Sequence, residues 1–145
     1  MKRTTVRPRS LAKEDFATLA EFRYLLRRFG AFSAAAARQA GLTAQQHQAL
    51  LAIKGFPGRE QVTIGVLAER LDLKHHSVVG LVDRLMRRGL IVRRHDKADR
   101  RKVRIALTSQ AEALLRGLTL AHRDELRRLA PLLHGVLRRL QESGR

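Results

Sequence analysis

The sequence predicts a mainly α fold with a small β-hairpin wing, that is, a winged helix-turn-helix flanked by N- and C-terminal dimerisation helices. Apolar residues recur at helical spacing over most of the chain. Two short amphipathic segments meet at a tight turn near residue 73, and an alternating strand follows a basic loop near residue 100. A chain of 145 residues is predicted to be a single domain, 1–145. Within it we assign residues 1–40 and 109–145 to the dimerisation helices and residues 43–107 to the winged helix-turn-helix region.

The second amphipathic segment has a narrow apolar face and a polar one. The apolar face, predicted to be buried, carries Val78, Leu81, Val82 and Leu85. The opposite side has small and polar residues near the N-terminal end of the segment and basic residues near its C-terminal end. It carries His76, Ser77, Gly80, Asp83, Arg84 and Arg87. Such a helix suits the major groove of DNA, and recognition helices reach bases mainly with their N-terminal residues, here His75, His76 and Ser77. Gly80 would allow close approach of the backbone to DNA, and Asp83 is expected to pair with Arg87. Alone, the pattern equally fits an amphipathic helix with a solvated basic face.

A basic hairpin is predicted after Gly89, which is placed to end the helix. Its strands are Leu90 to Arg94 and Lys102 to Leu107, and the loop between them reads HDKADRR. A loop that only bound phosphates would gain nothing from its two carboxylates, Asp96 and Asp99. We expect Asp99 to fix the guanidinium of Arg101 so that it enters a minor groove, with Arg100 and Lys102 on phosphates.

These segments resemble the MarR (multiple antibiotic resistance regulator) family of bacterial winged-helix regulators. The family's wing motif is Asp, any residue, Arg, five residues and Leu-Thr, and it stands here as Asp99-Arg100-Arg101, KVRIA and Leu107-Thr108. The likeness extends through LAERLDL, LVDRLMRRGLIVRR and the LT at 42–43, in order over nearly the whole chain. It implies a homodimer, a palindromic operator in double-stranded DNA, and repression relieved by a small-molecule effector or an oxidant. One departure is Lys74, where the family commonly has a Ser or Thr cap.

The amino-acid composition limits the functions that this protein can have. The net charge is +17, of which residues 69–104 carry +7, and such a charge favours a polyanionic partner. An arginine-rich proteome would also inflate this count, so the charge alone says little. The absence of cysteine excludes a thiol switch and a Cys-based zinc site. No apolar run is long enough for a membrane span and no secretory signal follows the basic start, so we expect a cytoplasmic protein with no membrane association and no cofactor.

The flanking segments are predicted to be helical. A basic arm at 1–9 precedes a long helix from about Leu11 to Gln39, rich in phenylalanine and expected to form a core or a subunit interface. Thr43 and Gln46 form a capping box, a short strand is expected at Gln61 to Thr63, and Thr63 caps the next helix, whose N–H groups could hold a phosphate. Thr108 caps a leucine-rich helix, and Pro131 is expected in the first turn of a separate last helix.

Other functions remain as alternatives. An architectural nucleic-acid-binding protein without an effector would explain the positive charge. It would not require a recognition helix with a specific polar face. An enzyme is not expected, because the sequence has no phosphate loop, no nucleophile with a matched base and no paired carboxylates at a strand end. His75 and His76 point about 100° apart on a helix and cannot share a metal ion, so no metal site is predicted. Any effector pocket would be lined by Phe22, Phe29 and His47, which fit a core or an interface equally well.

Overall fold

The computed structural model describes residues 10–57, 62–95, 97–99, 101 and 103–143. In this part of the chain five helices and one antiparallel hairpin follow in the order α1 (Lys13–Gln39), α2 (Ala44–Lys54), α3 (Ile64–Leu71), α4 (His75–Arg87), β1 (Ile91–His95), β2 (Val103–Leu107) and α5 (Ser109–Glu142). This confirms the predicted fold class of a mainly α protein with a small wing. The predicted basic arm at 1–9 lies outside the described residues.

Contacts divide the chain into two compact units. One contains the described residues up to Ala31 and from Asp124 onward, and the other runs from Phe32 to Arg123. The second unit therefore contains the whole helix-turn-helix and hairpin, together with the end of α1 and the first half of α5.

The second unit has one continuous apolar core. The buried face of α4 lies at its centre, since Val78, Leu81, Val82 and Leu85 are at most 2% exposed, as the helical spacing predicted. Leu50 from α2 and Leu67 from α3 complete the middle of the cluster. Because α4 buries one whole face here, its opposite face is fixed toward solvent.

Polar caps fix where the helices of this unit begin. Thr43 accepts a hydrogen bond from the backbone N–H of Gln46, whose side chain bonds back to the N–H of Thr43, so the predicted capping box is present. Thr63 accepts from the N–H of Val66 at the start of α3. Thr108 caps α5 through the N–H of Ala111 and also donates its hydroxyl to the carbonyl of Gly89. Thr108 therefore ties the start of α5 to the end of α4.

The prediction of a separate last helix at Pro131 was wrong. α5 continues from Ser109 to Glu142 with Pro131 inside it. A proline in a helix removes one backbone hydrogen bond and commonly kinks or breaks the helix. Leu129 and Val136 on either side of Pro131 are both buried, and this packing offsets the lost bond.

The first unit has a small core and a large apolar surface. Leu25, Leu129 and Val136 form its centre, with Phe22, Phe29 and Leu133 packed against them. Exposed large hydrophobic side chains of the same unit are Leu11, Phe16, Leu19, Tyr24, Leu26, Leu126, Leu132, Leu137 and Leu140. No described helix is apolar over a length that would cross a membrane.

Candidate nucleic-acid interface

α3 and α4 form a helix-turn-helix with a very short turn. α3 ends at Leu71, and its C-cap Asp72 adopts the left-handed conformation with φ of 52°. α4 begins three residues after this cap, at His75. Aspartate tolerates this conformation better than most residues because its short side chain bonds locally. Lys74 makes no side-chain cap, in keeping with its departure from the family pattern, yet the helix starts immediately after it.

The outer face of α4 starts with three exposed polar residues. His75, His76 and Ser77 occupy its first turn and all are exposed. An ideal Cβ placed on Gly80 would lie 3.4 Å from a guanidinium nitrogen of Arg84, so the Arg84 side chain folds back over this glycine. The face is thus polar at its start and becomes basic toward Arg84 and Arg87, as the sequence indicated.

Asp83 does not pair with Arg87 as predicted. Its Oδ1 accepts a hydrogen bond from Nη2 of Arg93 in β1 at 3.1 Å. The side chains of this ion pair are 48% and 38% exposed. Sequence analysis missed the contact because the two residues lie ten positions apart and meet only when β1 packs beside α4. The Asp83–Arg93 pair links the recognition helix to the wing.

The hairpin is antiparallel and in simple register. Arg93 lies opposite Ile105, and Arg94 lies opposite Arg104. Ile91 and Ile105 are buried, which anchors the wing on the core. The backbone N–H of Ile105 also donates to the carbonyl of Val62. Val62 therefore supports the wing, which is the role expected of the predicted strand at Gln61 to Thr63. Val62 and Thr63 do not form a strand, and Gln61 lies outside the described residues.

At the tip of the wing, Asp99 contacts backbone rather than a guanidinium. Its Oδ1 accepts a hydrogen bond from the backbone N–H of Arg101 at 3.1 Å, and Arg101 is exposed. A carboxylate that bonds a backbone N–H two residues later forms an Asx turn, which fixes the local chain direction. Asp99 thus orients Arg101 through the main chain. Asp96, Arg100 and Lys102, the other residues predicted in this loop, lie outside the described residues.

Two further basic residues connect secondary-structure elements through hydrogen bonds instead of only facing solvent. Arg93 is bound by Asp83 as described above. Arg88, at the end of α4, donates from Nη1 to Oε1 of Gln46 at 3.0 Å and so joins α4 to the capping box of α2. Sequence analysis counted both only as positive charge, because nothing in the local pattern identifies a partner 10 or 42 residues away.

The residues predicted to line an effector pocket belong to different units. Phe22 and Phe29 are part of the apolar cluster of the first unit. His47 is buried in the second unit, and its Nδ1 has no hydrogen-bond partner among the described residues. Burial, and after it the neighbouring His122, lowers the pKa of His47 below the usual 6.5. The effector pocket therefore stays a prediction.

Comparison with known proteins agrees with this geometry. A MarR family model matches residues 40–102, from the end of α1 to the wing. The HTH-type transcriptional repressor YetL of Bacillus subtilis is 41% identical over 49 residues, which are 34% of this chain and 29% of YetL. The chain spans less than half the length of the curated relatives that it matches.

Solved structures match over most of the chain. A mutant of S. aureus MepR is 20% identical and has a TM-score of 0.74, covering 88% of this chain and 98% of MepR. Another MepR mutant, bound to an oligodeoxyribonucleotide, is 20% identical with a TM-score of 0.67, covering 90% of this chain and 98% of that one. CouR from Rhodococcus jostii RHA1, bound to p-coumaroyl-CoA, is 26% identical with a TM-score of 0.67, covering 91% and 94%. Residues 40–102 thus match the MarR family of regulators, and the fold over most of the chain is that of these solved structures.

Proposed function

We propose that this protein is a transcriptional repressor that binds a palindromic operator in double-stranded DNA as a homodimer. One observation carries the proposal: α4 buries a complete apolar face and presents His75, His76 and Ser77 at an exposed N-terminal turn beside a basic wing. An α-helix fits the major groove, and its N-terminal residues are the ones that reach base edges. The MepR mutant bound to an oligodeoxyribonucleotide and the name of YetL support DNA binding and repression.

The wing has a different role from the helix. Arg101 is exposed at its tip and oriented through Asp99, which suits insertion into a narrow minor groove. Arg100 and Lys102 flank it in the sequence and would neutralise phosphates, as would Arg84 and Arg87 at the end of α4. Phosphate would also approach Thr63, whose helix start offers backbone N–H groups. Bases are thus read by α4, and the wing adds contacts that depend on groove shape.

The homodimer is supported by the exposed apolar side chains of the first unit. Leu132, Leu137 and Leu140 at the end of α5 and Phe16 and Leu19 on α1 are between 41% and 63% exposed. Apolar surface of this extent in one region commonly marks an interface. Light scattering should give twice the chain mass of 16.4 kDa, and a monomer at micromolar concentration would contradict the proposal.

Release by a small ligand completes the proposed regulation. CouR, whose structure holds p-coumaroyl-CoA, is the relative that supports an effector. Phe22, Phe29 and His47 are the residues we assign to it. Loss of operator binding on addition of candidate acyl-CoA thioesters is the measurement that tests the release.

The DNA-binding proposal is tested by fluorescence anisotropy with two duplexes. One carries the DNA upstream of the protein's own gene, and the other is a scrambled duplex of the same length, each titrated over a range of salt. The native duplex should bind at least about 10³-fold more tightly at physiological salt. The logarithm of the binding constant should fall with the logarithm of salt by about 0.9 per phosphate neutralised.

Variants separate specific from general binding. Ser77→Ala should weaken binding to the native duplex more than to the scrambled one. Arg84→Ala should weaken both and reduce the salt slope by about 1. Arg116→Ala is the matched control, because it removes the same charge from an exposed position on α5, outside α3, α4 and the wing. Equal binding of both duplexes, repeated with a site selected from random DNA, would favour an architectural protein instead.

A further inference from the structure

Two histidine rings lie against each other inside the second unit. The ring centroids of His47 on α2 and His122 on α5 are 4.7 Å apart, and the side chains are 2% and 9% exposed. Phe32 on α1 packs on His122 in a T-shaped arrangement with a centroid distance of 5.3 Å. Three helices therefore meet at this pair.

His122 is hydrogen-bonded at both ring nitrogens. Its Nδ1 lies 2.6 Å from the carbonyl oxygen of Leu118, and its Nε2 lies 2.8 Å from Oγ of Ser33 on α1. Because a carbonyl only accepts, Nδ1 carries the proton and Nε2 accepts from the Ser33 hydroxyl. If Nε2 is protonated, the hydroxyl can rotate and accept instead. His122 thus keeps both hydrogen bonds in either charge state.

His47 has no such arrangement. Its Nδ1 is buried and has no partner among the described residues. Desolvation and, to a smaller extent, His122 hold the pKa of His47 below its usual 6.5. A proton on His47 would therefore sit unpaired in the core beside a second imidazole.

No carboxylate among the described residues compensates this proton. Among the charged and titratable groups of the described residues, His122 is the one that shifts the pKa of His47, and it lowers it. α1 contributes Ser33 and Phe32 to the cluster, neither of which is charged in this pH range. On α2 the nearest ionisable side chain is Lys54, two turns away and paired with Glu112. α3, α4 and β2 also pack on α2. Their charged or titratable residues are Glu69, Arg70, His75, His76, Asp83, Arg84, Arg87 and Arg104.

We propose that His47 and His122 form a proton-sensitive lock that holds α2 against α1 and α5, and that acidification opens it. Conformations in which His47 reaches water bind a proton more tightly than the packed one. Lower pH therefore raises their population, by at most about tenfold per pH unit for one proton. Since α2 packs on α3, α4 and β2, opening weakens the support of the helix-turn-helix. The consequence for DNA binding rests on the proposed function, whereas the lock does not.

The lock is tested by amide hydrogen exchange of α2 in the full-length protein at pH 7.5 and 5.5, corrected for the intrinsic pH dependence of exchange. In the wild type the opening constant of α2 should rise at the lower pH by at most about 10-fold, because an opened His47 binds its proton only below its usual pKa of about 6.5. In His47→Leu it should stay constant. His134→Gln, which removes an exposed histidine of the first unit, should behave as the wild type. Equal pH responses of the wild type and His47→Leu would overturn the proposal.

A second variant covers the case in which His47→Leu does not fold. His122→Gln keeps polar groups for Ser33 and Leu118 but removes the imidazole that lies against His47. The midpoint of the His47 imidazole signal in an NMR titration should then move upward, and the rise in α2 exchange should become smaller. An unchanged midpoint, or a His47 signal that titrates without any change in α2 exchange, would refute the lock.

Operator binding at the same two pH values separates the two proposals. Failure of the wild type to bind specific DNA at pH 7.5 would refute the proposed function, and the exchange result would still decide the lock. Wild type and His47→Leu share every other histidine, so their comparison at each pH isolates the effect of His47. A fall in affinity confined to proteins that retain His47 would show that the lock reaches the interface. Equal affinities would restrict it to α2.

Discussion

Replacing Asp83 by alanine tests whether α4 and the wing act as one surface. Asp83 is a negative charge on the basic face, and it binds Arg93 of β1 at 3.1 Å. Electrostatics alone predicts that its removal strengthens binding to DNA. We expect the opposite for the operator, because the substitution releases Arg93 from its fixed position.

The size of the effect follows from the exposure of the pair. With 48% and 38% of the two side chains exposed, such a pair contributes about 0.2–1 kcal/mol to the free energy of unfolding, so Asp83→Ala should still fold. A released arginine must be ordered again when the wing binds, which costs about 0.5–1.5 kcal/mol. The dissociation constant for the operator should therefore rise roughly 2- to 13-fold.

The assay is an anisotropy titration of Asp83→Ala with operator and scrambled duplexes. Glu112→Ala is the matched control, because Glu112 forms an ion pair of the same kind with Lys54, at 2.8 Å and with 50% and 58% exposure, in the same unit. A double-mutant cycle of Asp83→Ala and Arg93→Ala isolates the coupling between the two side chains. Tighter binding of both duplexes by Asp83→Ala, or the absence of coupling between Asp83 and Arg93 in the cycle, would show that Asp83 only repels DNA and does not position the wing.

Four further changes have defined outcomes. Arg101→Ala should weaken operator binding by about 1–3 kcal/mol, and unchanged affinity would remove its minor-groove role. Asp99→Ala should also weaken binding despite the lost negative charge, because the N–H of Arg101 loses its acceptor; tighter binding would contradict this. Leu85→Ala should lower the free energy of unfolding in urea by about 2–5 kcal/mol, since Leu85 is fully buried, and a loss below 1 kcal/mol would contradict its place in the core. The pKa of His47 in the folded protein lies below 6.5, so the unfolded state binds this proton at a higher pH than the folded state does. The free energy of unfolding should therefore fall as the pH drops below about 6.5, by at most about 1.4 kcal/mol per pH unit for this group. His47→Leu should reduce that slope.

The core and the caps of the second unit were predictable because they follow from local rules. Helical spacing identified all four buried residues of α4, since one face of a helix must pack when the other is polar. Thr43 with Gln46 and Thr63 follow the side-chain pattern that satisfies free N–H groups at a helix start. Each of these features depends on residues within one or two turns of each other.

The features that sequence analysis missed depend on tertiary packing. Pro131 is a strong local signal for a helix start, yet packing at Leu129 and Val136 keeps α5 continuous. Leu25, the most buried large side chain of α1, was not singled out among its many apolar neighbours. The approach of His47 to His122 joins residues 75 positions apart, and neither ring has a local pattern that indicates the other.

The partner of Asp83 shows how tertiary packing also decides which arginines remain available to DNA. Within a helix, Arg87 four residues later is a favourable partner, and pairing there would neutralise a basic residue of the recognition helix. The anchoring of Ile91 in the core places β1 beside α4, and Asp83 binds Arg93 instead. Among the described residues no ion pair then involves Arg87, which stays exposed at the end of α4. The same contact that fixes the wing therefore leaves the recognition helix its full positive charge.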